Sequence, residues 1–335
     1  MLIVLLVSTA ARLTPNVTVA PGVTLPPTVA IAPGVSLPPT VTIAPGVSLA
    51  PTVTIAPGVS MPRLNLGTCC GSDATSFPYW YAAGGRGVDT ALDYGKEVPG
   101  GTEAELRAAI DKAGATREEL FITTKIRAGI DLEHLGPLCV GLNAEYVLKA
   151  VRADLKQLKV SQVDLVLLHA PCKSHATNAR LWLGMEQALK LNLTRAIGVS
   201  NFGKAALSAL LVTAAVRPAV NQCQMSMADQ ENEMLSFCAE HGITFEAYAA
   251  LRGCPFGDAQ VQGIAAAHSV GVNQVCLRWV LQKGAAMAVG LGSNATRMPG
   301  YAKSDLDVYS FALSDAEMAT LSAMGKQISS CQQGY

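Results

Sequence analysis

From residue 63 onward, short apolar runs rich in β-branched residues alternate with longer stretches whose apolar positions recur at helical spacing. The strand-like runs are RLNLGT (63–68), GVDTA (87–91), LFITTKI (120–126), VDLVLLHA (163–170), AIGVSN (196–201), AVNQCQM (219–225), TFEAYAA (244–250) and AMAVGLG (286–292). Amphipathic stretches lie between them, among them TEAELRAAIDKAG, AEYVLKAVRADLKQL, NARLWLGMEQALKL, ENEMLSFCAEHG and DAQVQGIAAAHS. Eight strands alternating with helices over about 270 residues predict an α/β chain folded as a (β/α)8 TIM barrel. A doubly wound sheet is the competing architecture, but its phosphate-binding glycines follow the first strand. Here the G-x-G-x-x-A spacing occurs at GLGSNA (290–295), after the last strand, where a barrel keeps its phosphate loop.

Upstream the pattern changes. APG recurs at Ala20, Ala32, Ala44 and Ala56, a strict twelve-residue period, and eleven of the eighteen prolines fall within the first 62 residues. Proline lacks the donor that a strand ladder needs, and no aromatic residue precedes Phe77. Each copy reads as a potential hairpin, TVTI–APG–VSMP in its last form, because Pro-Gly is a strong turn signal. Two regions are expected: a repetitive, Pro-rich, flexible leader over 1–50, and a barrel over 51–335. A short β-solenoid is the alternative for the leader.

Composition narrows the function. The chain of 335 residues carries no net formal charge, with 25 basic and 25 acidic side chains, and is 50% hydrophobic. Unclustered charge argues against nucleic-acid or membrane-surface partners, and no apolar run approaches the ~20 residues of a membrane span. The nine cysteines show no zinc-type spacing, so reduced thiols in a cytoplasmic setting are expected. MLIVLLVSTA lacks the basic flank of a secretory signal, which leaves export as the minor alternative.

In such barrels the chemistry gathers where strands end at the C-terminal face. Seven polar residues stand at those ends in six of the strands: Asp89, Lys125, His169, Ser200 with Asn201, Gln222 and Tyr248. One alone would read as a satisfied structural group; together they predict a shared site.

Several of these segments are similar to the aldo-keto reductase family. VDTALDYG resembles that family's D-T-A-x-x-Y-G segment, and REELFITTKI, VDLVLLHAP, RAIGVSNF, Asn221–Gln222 and LSDAEM resemble its successive signatures in order. The resemblance runs from Thr52 to about Met324, and it implies that TVTIAPGVSMP is a hairpin capping the N-terminal mouth of the barrel. It also implies a catalytic tetrad of Asp89, Tyr94, Lys125 and His169, with Tyr94 as general acid. A phenol titrates near 10, and an adjacent ammonium lowers that. The resemblance further assigns Ser200, Asn201 and Gln222 to a nicotinamide carboxamide and Tyr248 to the stacked ring. Gly292, Ser293, Arg297 and Asp305 fall to the phosphate and adenosine end. Arg297 can fork onto a 2′-phosphate, so NADP(H) is the expected cofactor, NAD(H) being possible because no lysine stands at Leu291 or Gly292. No metal is required.

The implied function is NAD(P)H-dependent reduction of an aldehyde or ketone to an alcohol by a monomer acting on a small carbonyl compound. A nucleotide-sensing regulatory subunit without turnover is the alternative from another class, and a duplication-damaged gene product is a third. Trp80 and Tyr81 are candidates for the pocket wall or for the core.

Overall fold

The computed structural model describes residues 49–70, 74–94, 101–127, 139, 141–328 and 331. The expectation of a flexible repeat leader concerns residues that, up to 48, lie outside the described ones. Leu49 is buried in the main core.

The hairpin forms as expected. Strand β1 (Thr52–Ala56) pairs antiparallel with β2 (Val59–Pro62), Thr52 opposite Pro62. Gly58 takes the left-handed φ of 69° that lets the Pro57–Gly58 turn close without a Cβ clash.

The eight strands read from the sequence are all present: β3 (Leu64–Gly67), β4 (Gly87–Asp89), β5 (Phe121–Ile126), β6 (Val163–Leu168), β7 (Thr194–Ser200), β8 (Val220–Gln224), β10 (Thr244–Tyr248) and β11 (Ala286–Val289). A two-residue strand, β9 (Asp229–Gln230), interrupts the numbering. It pairs with β12 (Lys326–Gln327) near the end of the chain. The eight long strands run parallel and close on themselves, β11 pairing with β3.

Around them lie α1 (Phe77–Ala82), α2 (Gly101–Ala113), α3 (Ala144–Leu158), α4 (His175–Lys190), α5 (Lys204–Thr213), α6 (Asn232–Glu240), α7 (Ala259–Ala267), α8 (Val272–Gln282), α9 (Met298–Leu306) and α10 (Asp315–Ala323). Helix α3 shows how local sequence places an element. Asn143 caps it by accepting from the Tyr146 amide, and Val147, Val151, Leu155 and Leu158 fall on one buried stripe. Ser174, Asp258 and Ser314 cap α4, α7 and α10 in the same way. None of the described helices is long and apolar enough to cross a membrane.

Two apolar regions result. The larger fills the space between barrel and helices and holds Trp80, which is fully buried. Trp80 is therefore a core residue, its indole bonding the Gly87 carbonyl at 2.9 Å, while Tyr81 turns outward to Glu119. The smaller region fills the N-terminal end of the barrel, where Val59 and Met61 of the hairpin meet Phe121, Leu165, Leu167, Ala196, Val220 and Ala286. The hairpin plugs that end, as the resemblance implied.

Nearby, Asp164 of β6 is buried yet fully used. It accepts from Arg117 at 2.6 Å, from Arg195 at 2.8 Å and from the Ile122 backbone amide of β5 at 2.9 Å. Arg195 also reaches the Gly58 carbonyl of the hairpin turn at 2.8 Å.

The cysteines depart from the reduced-thiol expectation. Disulfides join Cys69–Cys70, Cys139–Cys172, Cys223–Cys331 and Cys254–Cys276, leaving Cys238 buried and unpaired. Three of the pairs link residues 33, 108 and 22 apart, separations at which sequence spacing carries no signal.

Candidate active site

The rim formed by the C-terminal ends of β3–β8 and β10 brings the strand-end polar residues together. At its centre Lys125, the fifth residue of β5, points into the barrel with its ammonium paired to the Asp89 carboxylate and bonded to the Thr90 carbonyl at 3.2 Å. Burial by itself would lower the lysine's pKa. The charges of Asp89 and then Tyr94, with hydrogen bonds to both, outweigh that and hold the ammonium above its ordinary range. Lys125 is thus a permanently charged donor, buried between a carboxylate and a phenol.

Tyr94 sits one turn beyond β4, in the short 3-10 segment Leu92–Tyr94. The Lys125 Nζ lies 5.0 Å from the centre of its ring. The His169 imidazole meets the same ring edge-on, with centroids 5.5 Å apart. His169 follows β6, and its backbone amide is anchored to the Ile126 carbonyl at 3.0 Å. Tyr94 and His169 are both half-buried, whereas Asp89 and Lys125 are buried. The proton-bearing side chains thus face the mouth and the ion pair sits beneath them.

The β7, β8 and β10 ends continue the rim. Asn201 donates to the His169 carbonyl at 2.9 Å and accepts from the Tyr248 hydroxyl at 2.9 Å. Ser200 donates to the Gln222 carbonyl at 2.9 Å. The Gln222 amide nitrogen turns into the barrel, donating to Asp89 at 2.9 Å and to Glu246 at 2.8 Å. Backbone strain clusters here too. Cys70, Asn201 and Ala249, at φ 62°, 60° and 57°, occupy the left-handed region just past the ends of β3, β7 and β10.

Beneath the rim lies a group the sequence reading did not single out. Glu246 of β10 is fully buried and accepts from Asn65 of β3 at 2.9 Å as well as from Gln222. Burial, and then the charge of Asp89, push its carboxyl up to about 7 against the pull of Gln222, Lys125 and Asn65. The available signal was an acidic residue inside an otherwise apolar strand.

The residues expected at the adenosine end divide. Gly292, Ser293 and Arg297 are exposed, with Gly292 left-handed at φ 69° and Arg297 at the N-terminus of α9. Asp305 is buried at the far end of that helix, bonded to Asn273 at 3.0 Å, and burial raises its carboxyl to about 7. It belongs to the packing of α9 on α8.

Residues 77–256 match the family model described as "Aldo/keto reductase family". An aldo-keto reductase from Mycolicibacterium vanbaalenii is 35% identical over 268 residues, covering 79% of this chain and 88% of the relative. D-galacturonate reductase from Fragaria ananassa is 34% identical, covering 72% and 77%. Among solved structures, an aldo/keto reductase from Brucella melitensis superposes with a TM-score of 0.70 at 28% identity, covering 82% of this chain and 99% of its own. A Bombyx mori aldo-keto reductase in complex with NADP superposes at 0.69 and 26% identity, covering 83% and 93%.

Proposed function

The chain belongs to the aldo/keto reductase family, and from that premise we propose that it catalyses the reversible reduction of an aldehyde or ketone to its alcohol, with Tyr94 as general acid. It is an NADP-dependent oxidoreductase, and NADP(H), when bound, supplies the hydride.

The rim suits such a dinucleotide. Tyr248 offers an aromatic face steadied by Asn201, and Ser200 and Asn201 bring polar atoms beside it. The exposed Gly292–Ser293 turn leads to the positive end of the α9 dipole, where Arg297 can meet phosphate. A Cβ at Gly292 would meet nothing within 4 Å, so backbone approach there is open. Gln222 is a weaker candidate for the carboxamide, since its amide nitrogen is held by two carboxylates.

The burial of Lys125 between Asp89 and Tyr94 is the observation that supports this reading most. A phenol near pKa 10 is a poor acid at neutral pH. An ammonium beside it stabilises the phenolate left after the proton departs to the substrate oxygen, and Asp89 keeps that ammonium charged and aimed. His169, against the edge of Tyr94, is positioned to hydrogen-bond the substrate carbonyl and orient it toward the phenol. In the oxidative direction the same phenolate accepts the alcohol proton. The four disulfides leave a cytoplasmic location without its cysteine argument, because such bonds persist in oxidising compartments.

The test is Tyr94→Phe, assayed against an aldehyde panel with NADPH and titrated with NADPH by quenching of tryptophan fluorescence. Turnover should disappear while dinucleotide affinity stays close to wild type. Full activity in the variant would refute the assigned acid. Dinucleotide binding by the wild type without turnover of any carbonyl would favour the nucleotide-sensing alternative.

A further inference from the structure

The vicinal pair Cys69–Cys70 is not absorbed by the chemistry above, and its place in the fold argues against a structural role. A disulfide stabilises chiefly by restricting the unfolded chain, and the effect grows with the loop it closes. The other three bonds close loops of 22 to 108 residues, whereas Cys69 and Cys70 are neighbours in sequence, so their bond restricts almost nothing at long range. Its accessibility also differs. Cys70 is the only exposed cysteine among the described residues, and Cys69 is half-buried. Cys238 is buried with its thiol pushed up to about 12, which removes it as a competing nucleophile.

The pair lies directly beyond β3, whose Gly67 is in register with Asp89. Thr68, the residue before Cys69, holds the Asp89 carbonyl twice, through its amide at 3.1 Å and its hydroxyl at 3.1 Å. Cys70 then takes a left-handed φ of 62°, a conformation that an L side chain adopts only when something holds it there. The ring closed by the disulfide supplies that restraint. The exposed bond is therefore tied, through Thr68, to the backbone of the residue that pairs with Lys125.

We propose that Cys69–Cys70 is a reversible thiol-exchange site for low-molecular-weight thiols, and that its oxidation state sets the turnover of the adjacent carbonyl-reduction site. The chemistry balances. A thiolate attacks the exposed Cys70 sulfur, forming a mixed disulfide and releasing the Cys69 thiolate, which takes a proton. A second thiol attacks the mixed disulfide, giving the external disulfide and the Cys70 thiol. Two thiols lose two electrons and the protein gains them. Once open, Cys70 can leave the left-handed region, and the Thr68 clamp on Asp89 loses the restraint behind it. The coupling to turnover rests on the function proposed above; the exchange itself does not.

The test uses full-length protein purified without reductant and equilibrated with mixtures of reduced and oxidised dithiothreitol. Free thiols are then blocked with N-ethylmaleimide and located by peptide mass, while carbonyl reduction is followed in parallel. Cys69 and Cys70 should acquire the label together, before any of the other three pairs. Turnover should fall in step by roughly fivefold as the Thr68 clamp on Asp89 loosens, and return on reoxidation. A Cys69→Ser/Cys70→Ser variant should not respond to dithiothreitol. Labelling of both cysteines before any reductant is added, or opening of a buried pair first, would overturn the exchange site. Equal responses in the wild type and the double variant, or opening of the pair with unchanged turnover, would overturn the coupling. Because labelling is read by mass, it decides the exchange site even if no carbonyl is turned over, an outcome that would count against the proposed function alone.

Discussion

Replacing Glu246 with glutamine is expected to stabilise the protein above neutral pH and to weaken it slightly in acid. The folded state raises this carboxyl from 4.5 to about 7, by burial first and by the charge of Asp89 second. The folded chain therefore holds the Glu246 proton more tightly than the unfolded chain does. Its contribution is most favourable below 4.5, falls as pH rises through the window between 4.5 and 7, and is lowest above that window. The full difference corresponds to about 3 kcal/mol. Glutamine is neutral throughout and removes the slope, but its amide can accept from only one of Asn65 and Gln222, a loss of about 1 kcal/mol. The variant should thus be more stable than wild type by about 2 kcal/mol near pH 8 and less stable by about 1 kcal/mol near pH 4. Trp80, Trp182 and Trp279 are all buried and report unfolding directly, so urea titrations of both proteins at the two pH values suffice, with disulfides kept oxidised. An offset between wild type and variant that is the same at both pH values would refute a titrating Glu246.

Lys125→Met should lower kcat by roughly 10²–10⁴-fold, the scale of a lost proton-transfer partner. It should also cost about 3–5 kcal/mol of stability, because Asp89 is left charged and buried. The double variant Asp89→Asn/Lys125→Met should recover most of that stability in a melt yet none of the activity. Asp164→Ala should destabilise by about 2–3 kcal/mol, less than a fully buried pair because Arg117 and Arg195 are partly exposed; an unchanged denaturation midpoint would count against its role. Truncation of residues 1–48 should leave carbonyl reduction and the melting transition intact, whereas removing Leu49 as well should lower the midpoint, since that side chain is part of the core.

The barrel was legible because each strand is a short β-branched run bounded by polar or turn residues, and because α3 carries a clean apolar stripe between a capping Asn143 and the left-handed Lys159. Helix α8 was harder to read. Gln274, Arg278 and Gln282 recur at helical spacing, but Gly271 stands at its N-cap and offers no side-chain capping signal to mark where it starts. The strand-end residues could be read because each sits in a local segment at a fixed place in the barrel. Glu246 could not, because its meaning comes from Asn65, 181 residues away, and from Gln222. The three disulfides between distant cysteines were hidden for a similar reason, and the burial of Asp305 depends on Asn273 of a neighbouring helix. Sequence carried the local rules; contacts made across the barrel had to be seen.

The Asp164 hub has a consequence for fidelity of assembly. A closed ring of parallel strands can err by sliding one strand a single step along its neighbours, and such a slide would turn Lys125 out of the interior and Thr124 in. Because one carboxylate grips the Ile122 amide of that strand while two guanidiniums clasp it from flanking segments, the shifted arrangement forfeits several charge-assisted bonds at once. Phasing at the floor thereby dictates which side chains reach the mouth, and an error there would silence the chemistry without touching any reacting group.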